Sequence, residues 1–285
     1  MEVLPNGVTG ARHTLPDLPE PDFTLVDVPF QIGAEGLHPA RMLRDRVRSL
    51  DLRRAALIVT ASKDLSLPGL RAALVVSRNR PLLEHLSRDR FERMATSGNP
   101  IGETVMLFHT SLLPVLEASA ARTRELVETA RDRARRARLP DLPDERTYRD
   151  VRDHLTAMGE RFRRNARALE DPQSPLRPIT GVGAATGFSA FAELAAPRGD
   201  FLRWVTRCGG AGLRLNPTVV HGGTSAAWEG LYPGGQLLRV NLSEDPVAFD
   251  RGPALLRSHV EHSGGSMRPP RASVEPRRRD GGTGS

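Results

Sequence analysis

The chain has 285 residues, enough for one large or two medium domains with real cores. Hydrophobic residues make up 39% and charged residues 26%, a balance that marks a globular chain and excludes overall disorder. The net charge of +7 invites a nucleic-acid partner, but aromatics are only 5% and Arg is interleaved with Asp and Glu, as in "RELVETARDRARRAR". There is no RNP-like, zinc-finger or KH pattern, so no nucleic-acid function is expected.

In chain order, residues 1–22 are Pro-rich and read as irregular. Residues 23–30, "FTLVDVPF", form a short apolar run closed by Asp27 and Pro29, the signature of a buried strand with an acid near its C-terminal end. Residues 39–50 carry helical apolar spacing. Residues 55–62 and 72–77, "AALIVTAS" and "AALVVS", are further buried strands, separated by a turn at Pro68-Gly69. Strands alternating with helices predict an α/β sheet buried on both faces. Helices follow from Arg80, then from about residue 104 to 138, where Pro140 and Pro143 end the run, and again over 144–170. After that the texture changes. "GFSAFAEL" alternates as a strand, "GDFLRWVTRCGGAG" reads as a helix with a Gly stop, and "QLLRVNLS" is a strand. This predicts a smaller α+β domain. The expected division is 1–103, 104–262 and a basic, disordered tail over 263–285.

One cysteine, Cys208, excludes an intramolecular disulfide and a thiolate metal cluster, and fits a reducing, cytoplasmic setting. The eight His lie singly, so no metal site is expected. The first residues contain no apolar signal-peptide core, and no stretch approaches the roughly 20 apolar residues that span a bilayer. "GVGAATG", residues 181–187, has the wrong spacing and context for a dinucleotide fingerprint.

The stretch "TASKDLSLPGLR", residues 60–71, holds the chain's single Lys, Lys63, against an otherwise all-Arg set of basic residues. A guanidinium is effectively never deprotonated, whereas an ε-amine can lose its proton and attack a carbonyl. Buried α/β sheets bind ligands beyond the carboxyl ends of their strands, where both Asp27 and Lys63 are expected. An amine, a carboxylate, the hydroxyls of Thr60 and Ser62 and the guanidinium of Arg71 form a set that suits pyridoxal phosphate (PLP). That cofactor needs a Lys for its aldehyde, an Asp for its pyridine nitrogen, and hydroxyl and Arg donors for its phosphate.

The stretch resembles the Schiff-base lysine motif of fold type I PLP enzymes in the aspartate aminotransferase superfamily (class I/II). That motif reads roughly S-x-S-K-x-x-x-x-x-G-x-R-x-G, and here it is Thr60-Ala61-Ser62-Lys63, then Gly69, Arg71 and Ala73. Asp27 precedes Lys63 by 36 residues, similar to the family's separation between its pyridine-binding Asp and its Lys. "LLRVNLS" resembles the family's C-terminal strand, which places Arg239 where the family grips the substrate carboxylate. The resemblance covers roughly residues 5–250. It implies part of a PLP-transferase large domain, with a mostly parallel sheet and helices, followed by the small domain. It implies transamination of an amino acid through a Lys63 aldimine, with a keto acid as co-substrate. Alternatives are cyclisation or oxidation of an amino acid in specialised metabolism, or a PLP-fold protein without activity.

The sequence also departs from the family. Members carry well over a hundred residues before the Asp, so the resemblance implies a fragment, a truncated product, or completion by another chain. The family's active site lies at a homodimer interface. "PNGVTG", residues 5–10, is similar to a remnant of the family's N-P-x-N-P-T-G turn, with Gly7 in place of the cofactor-binding Asn and Asn6 beside it. Phe30 stands where many members have a Tyr bonded to the cofactor phenolate, and Ala73 replaces the Gly after the Arg.

Overall fold

The structure is a computed structural model that describes residues 2–3, 21–29, 38–92, 100–178, 188–194, 201–210 and 237–262. The tail 263–285, the turn 5–10, the glycine cluster 181–187 and Phe30 lie outside the described residues. Two compact units divide the chain at Glu160 and Arg161.

The first unit is built on a four-stranded sheet of order β1-β2-β3-β4. Its strands are β1 (Glu2–Val3), β2 (Thr24–Val28), β3 (Ala55–Thr60) and β4 (Ala73–Ser77). β1, β2 and β3 run parallel, while β4 returns antiparallel to β3. β1 falls in the stretch that reads as irregular, because two residues are too few for any apolar pattern to register. Between β2 and β3 comes α1 (His38–Ser49), the crossover that a parallel pair requires.

Register assigns the two sheet faces. Val26 lies beside Leu57 and Asp27 beside Ile58. Since successive residues point to opposite faces, Val26, Val28, Leu57 and Val59 share one face, and Asp27, Ile58 and Thr60 share the other. The first face is core. Val26, Val28 and Leu57 pack with Val47, Leu50 and Leu52, and Val59 and Ala61 pack with Met106. On the second face Asp27, Ile58 and Thr60 are half-buried, and Leu25 is exposed.

The helices after β4 are α2 (Arg80–Glu92), α3 (Pro100–Leu112), α4 (Ala120–Arg136) and α5 (Glu145–Leu169). Asn79 caps α2 by accepting from the Leu82 N–H at 2.9 Å. The run expected as one helix over 104–138 is two, because Pro114 lacks an N–H and clashes with the preceding turn. The chain passes through a 3-10 turn at Leu113–Val115 and restarts at the Ser119 cap. α3, α4 and α5 enclose a core of Leu112, Val115, Val127, Tyr148 and Leu155. The Tyr148 ring meets Phe108 edge-on at 4.8 Å, and its hydroxyl lies 2.5 Å from Ser111 Oγ. Burial pushes the Tyr148 phenol up, against a smaller lowering by the Ser111 bond.

The second unit holds an antiparallel sheet of β5 (Leu176–Pro178), β6 (Ser189–Leu194) and β7 (Leu237–Asn241). It also holds α6 (Phe201–Gly210) and α7 (Pro246–His262). The end of α5 belongs to this unit. There Asn165, fully buried, donates to the Leu242 and Glu244 carbonyls at 3.0 and 2.9 Å. Arg164 bonds the Pro246 carbonyl at 3.0 Å and pairs with Asp250. Among the described residues no helix is long and apolar enough to cross a membrane.

Candidate functional site

The carboxyl ends of the parallel strands β2 and β3 lie side by side. Near the end of β2 stands Asp27, half-buried, and burial pushes its carboxyl above the usual carboxylate range against a smaller lowering from the Val28 N–H. Among the described residues no cation pairs with it. A half-buried carboxylate without a cation favours the arrival of one, because a nearby positive charge offsets its lost hydration. Thr60, half-buried at the end of β3, faces the same side of the sheet.

Beyond Thr60 the chain makes a tight turn that carries Ser62, half-buried, and Lys63, exposed. Two backbone bonds close it: Leu65 N–H to the Ala61 carbonyl at 3.0 Å and Ser66 N–H to the Lys63 carbonyl at 3.2 Å. A 3-10 turn at Pro68–Leu70 follows, and Arg71, exposed, ends it before β4 begins. Ser66 and Arg71 have φ of 53° and 52°, so two of the three non-Gly residues with positive φ among the described residues lie in the stretch that follows Lys63. Such backbones cost about 1–3 kcal/mol each and concentrate at functional sites. Gly69, by contrast, has open space where a Cβ would stand.

The residue after Lys63 was not singled out by its sequence pattern. Asp64 is buried, and its Oδ2 lies 2.9 Å from Nε2 of the equally buried His109 on α3. His109 Nδ1 is buried with no hydrogen-bond partner among the described residues. Forty-five positions separate the two residues, and nothing local in either stretch announces the pair. On the other side of the turn, a cavity of about 350 Å³ is lined by Asp64, Ser66, Thr147, Asp150 and His154. Among the described residues no cluster of His, Cys, Asp and Glu has the makings of a metal site.

Arg239 lies in the second unit on β7, opposite Phe191 of β6. Its guanidinium carbon sits 5.2 Å from the centre of the Phe188 ring. Burial pushes the guanidinium below its ordinary value, though an Arg stays charged throughout. Among the described residues no carboxylate pairs with it.

The chain has solved counterparts in fold. An aminotransferase from Staphylococcus aureus superposes with a TM-score of 0.52 at 16% identity, over 91% of this chain and 57% of that one. The chain carries part of an aminotransferase fold. Valine-pyruvate aminotransferase AvtA from Salmonella typhimurium LT2 matches at a TM-score of 0.51 and 13% identity, over 92% of this chain and 59% of that one. The aromatic aminotransferase from Pyrococcus horikoshii OT3 matches at 0.50 and 13%, over 85% and 52%. The chain thus spans between half and three-fifths of the length of these aminotransferases. At these identities the likeness is one of fold. No protein-family model and no curated protein matches the sequence.

Proposed function

We propose that the chain acts as a PLP-dependent aminotransferase, taking an amino acid and a keto acid as substrates, with Lys63 as its catalytic residue. One observation carries the reading: the only Lys of the chain follows the carboxyl end of β3, beside the parallel strand that holds Asp27. The residues present fit the cofactor. Asp27 is a half-buried carboxylate without a described cation, which suits a protonated ring nitrogen. Thr60, Ser62 and Arg71 are hydroxyl and guanidinium donors of the kind that hold a phosphate. The antiparallel return of β4 brings the stretch holding Arg71 back to the end of β3, where Thr60 pairs with Ala73.

When bound, PLP supplies an aldehyde and an electron-withdrawing ring. Lys63 would hold the cofactor at rest and, once freed as an amine, would move the proton from the substrate α-carbon to the carbon that was the cofactor aldehyde, as general base and then acid. Asp27 keeps a proton on the ring nitrogen by its negative charge. The family resemblance assigns the substrate carboxylate to Arg239. Its half-buried guanidinium lies over Phe188, and a guanidinium fork matches a planar anion with paired N–H donors.

The test is turnover. The purified chain, loaded with PLP, is incubated with a panel of amino acids, and the keto acid released is measured. Release from at least one amino acid is expected, with Arg239→Gln raising KM far more than it lowers kcat. A chain that binds PLP on Lys63 and releases no keto acid from any amino acid contradicts the reading.

A further inference from the structure

Lys63 sits on a turn, and a turn by itself leaves a long side chain's base free to shift. The structure fastens this one from behind. On α3, Met106 and His109 are three residues apart, so they share one face of the helix. Met106 packs against Val59 and Ala61, just before Lys63. His109 reaches Asp64, just after it, at 2.9 Å. One face of α3 therefore grips the chain on both sides of Lys63, by packing on one side and a polar bond on the other.

The polar half of this grip is costly in isolation. It takes a carboxylate and an imidazole out of water and leaves His109 Nδ1 buried without a partner among the described residues. An apolar residue at 109 would fill the same space without orphaning a ring nitrogen. What it would not do is fix the direction of Asp64, and with it the backbone of the neighbouring Lys63. The bond needs His109 Nε2 to carry the proton, which gives Nδ1 the lone pair in the neutral ring.

We propose that His109 is a positioning residue: acting through Asp64, it fixes the Lys63 turn so that the ε-amine meets the cofactor aldehyde. The inference rests on the PLP reading above. Its test uses the full chain and three variants. His109→Gln puts an N–H where Nε2 was, His109→Leu removes it, and Asp64→Asn keeps an acceptor for it. Each is mixed with PLP, reduced with borohydride at timed intervals, and assayed for pyridoxyl label on the Lys63 peptide. The Gln and Asn variants are expected to label within about three-fold of the wild-type rate, and the Leu variant at least about ten-fold more slowly with its fold intact. Should His109→Leu not fold, His109→Asn, whose shorter amide does not reach Asp64, replaces it.

Wild-type labelling in a folded Leu variant overturns the proposal, and so does an equal loss in the Gln and Leu variants. A second readout needs no cofactor: hydrogen exchange at the Leu65 and Ser66 amides, whose bonds close the turn. Protection there falls at least about ten-fold in the Leu variant and holds in the Gln variant if the pair acts as a clamp. A wild-type chain that takes no label removes the cofactor reading. Exchange alone then decides the clamp, and unchanged protection in the Leu variant overturns it.

Discussion

Asp27 and Arg239 show how a half-buried charge reads as a binding group. Each sits on a strand, each has lost part of its hydration, and neither has an ionic partner among the described residues. For Asp27 this has a consequence for stability. Its folded-state pKa is raised by burial, so the folded chain binds the carboxyl proton more tightly than the unfolded chain does. Stability from this group is full below the ordinary carboxylate pKa and declines as pH climbs through the raised one. Asp27→Asn is therefore expected to raise the midpoint of urea unfolding at neutral pH and to leave it unchanged near pH ~3, below the usual carboxylate range. The same variant is expected to depress turnover, because an amide carries no negative charge to hold the ring nitrogen's proton. Denaturation at the two pH values, beside the keto-acid assay, checks both. Spelling and spacing single out Lys63 and Asp27 as candidates in the sequence: a lone Lys in an Arg chain, and an acid closing an apolar run. The Asp64–His109 pair is not legible there, since it joins a turn to a helix 45 positions away and only the tertiary fold brings them together.

The elements owe their ends to a few residues. α4 closes in a Schellman turn, with Arg138 N–H on the Arg135 carbonyl and Leu139 N–H on the Ala134 carbonyl. That turn puts Arg138 at a φ of 53°, where glycine is preferred. Arg138→Gly is expected to stabilise the protein by about 0.5–1 kcal/mol, the left-handed penalty less the extra entropy of glycine in the unfolded chain. Chemical denaturation reads this directly. Asp144 caps α5 by accepting from the Thr147 N–H and hydroxyl at 2.9 and 2.8 Å, and those bonds hold its carboxyl below the usual range. Its contribution is present at neutral pH and is lost as pH falls through the lowered value. Asn165 matters more, because both carbonyls it serves lie where α5 meets the segment after β7. Asn165→Ala is expected to cost roughly 1–3 kcal/mol by stripping one buried and one part-buried carbonyl of their donor. Thermal unfolding with α7 followed by hydrogen exchange measures it. Most helices were plain from apolar spacing, which survives in any context. α7 was not, because Gly252-Pro253 interrupts its middle and reads as a break, although the helix runs through it. The division of 104–138 into two helices is likewise a matter of one residue, Pro114.

At the scale of the molecule, two units carry two kinds of sheet. The first is parallel with an antiparallel return, and the second is antiparallel throughout. The sequence changes texture near residue 170, although β6, which reads as alternating, is buried along nearly its whole length. The sheet order and the antiparallel return of β4 were beyond the sequence, because strand neighbours are chosen by long-range pairing. One chemical assignment is central to the proposed function, that Lys63 is the amine that holds PLP. A chain with a single Lys lets it be tested without mutagenesis. The protein is mixed with PLP, reduced with borohydride, digested and mapped by mass. Pyridoxyl mass on the peptide containing Lys63, together with a visible absorbance band before reduction, is the predicted result. A folded protein that takes no label, or takes it only on the N-terminal amine, contradicts it.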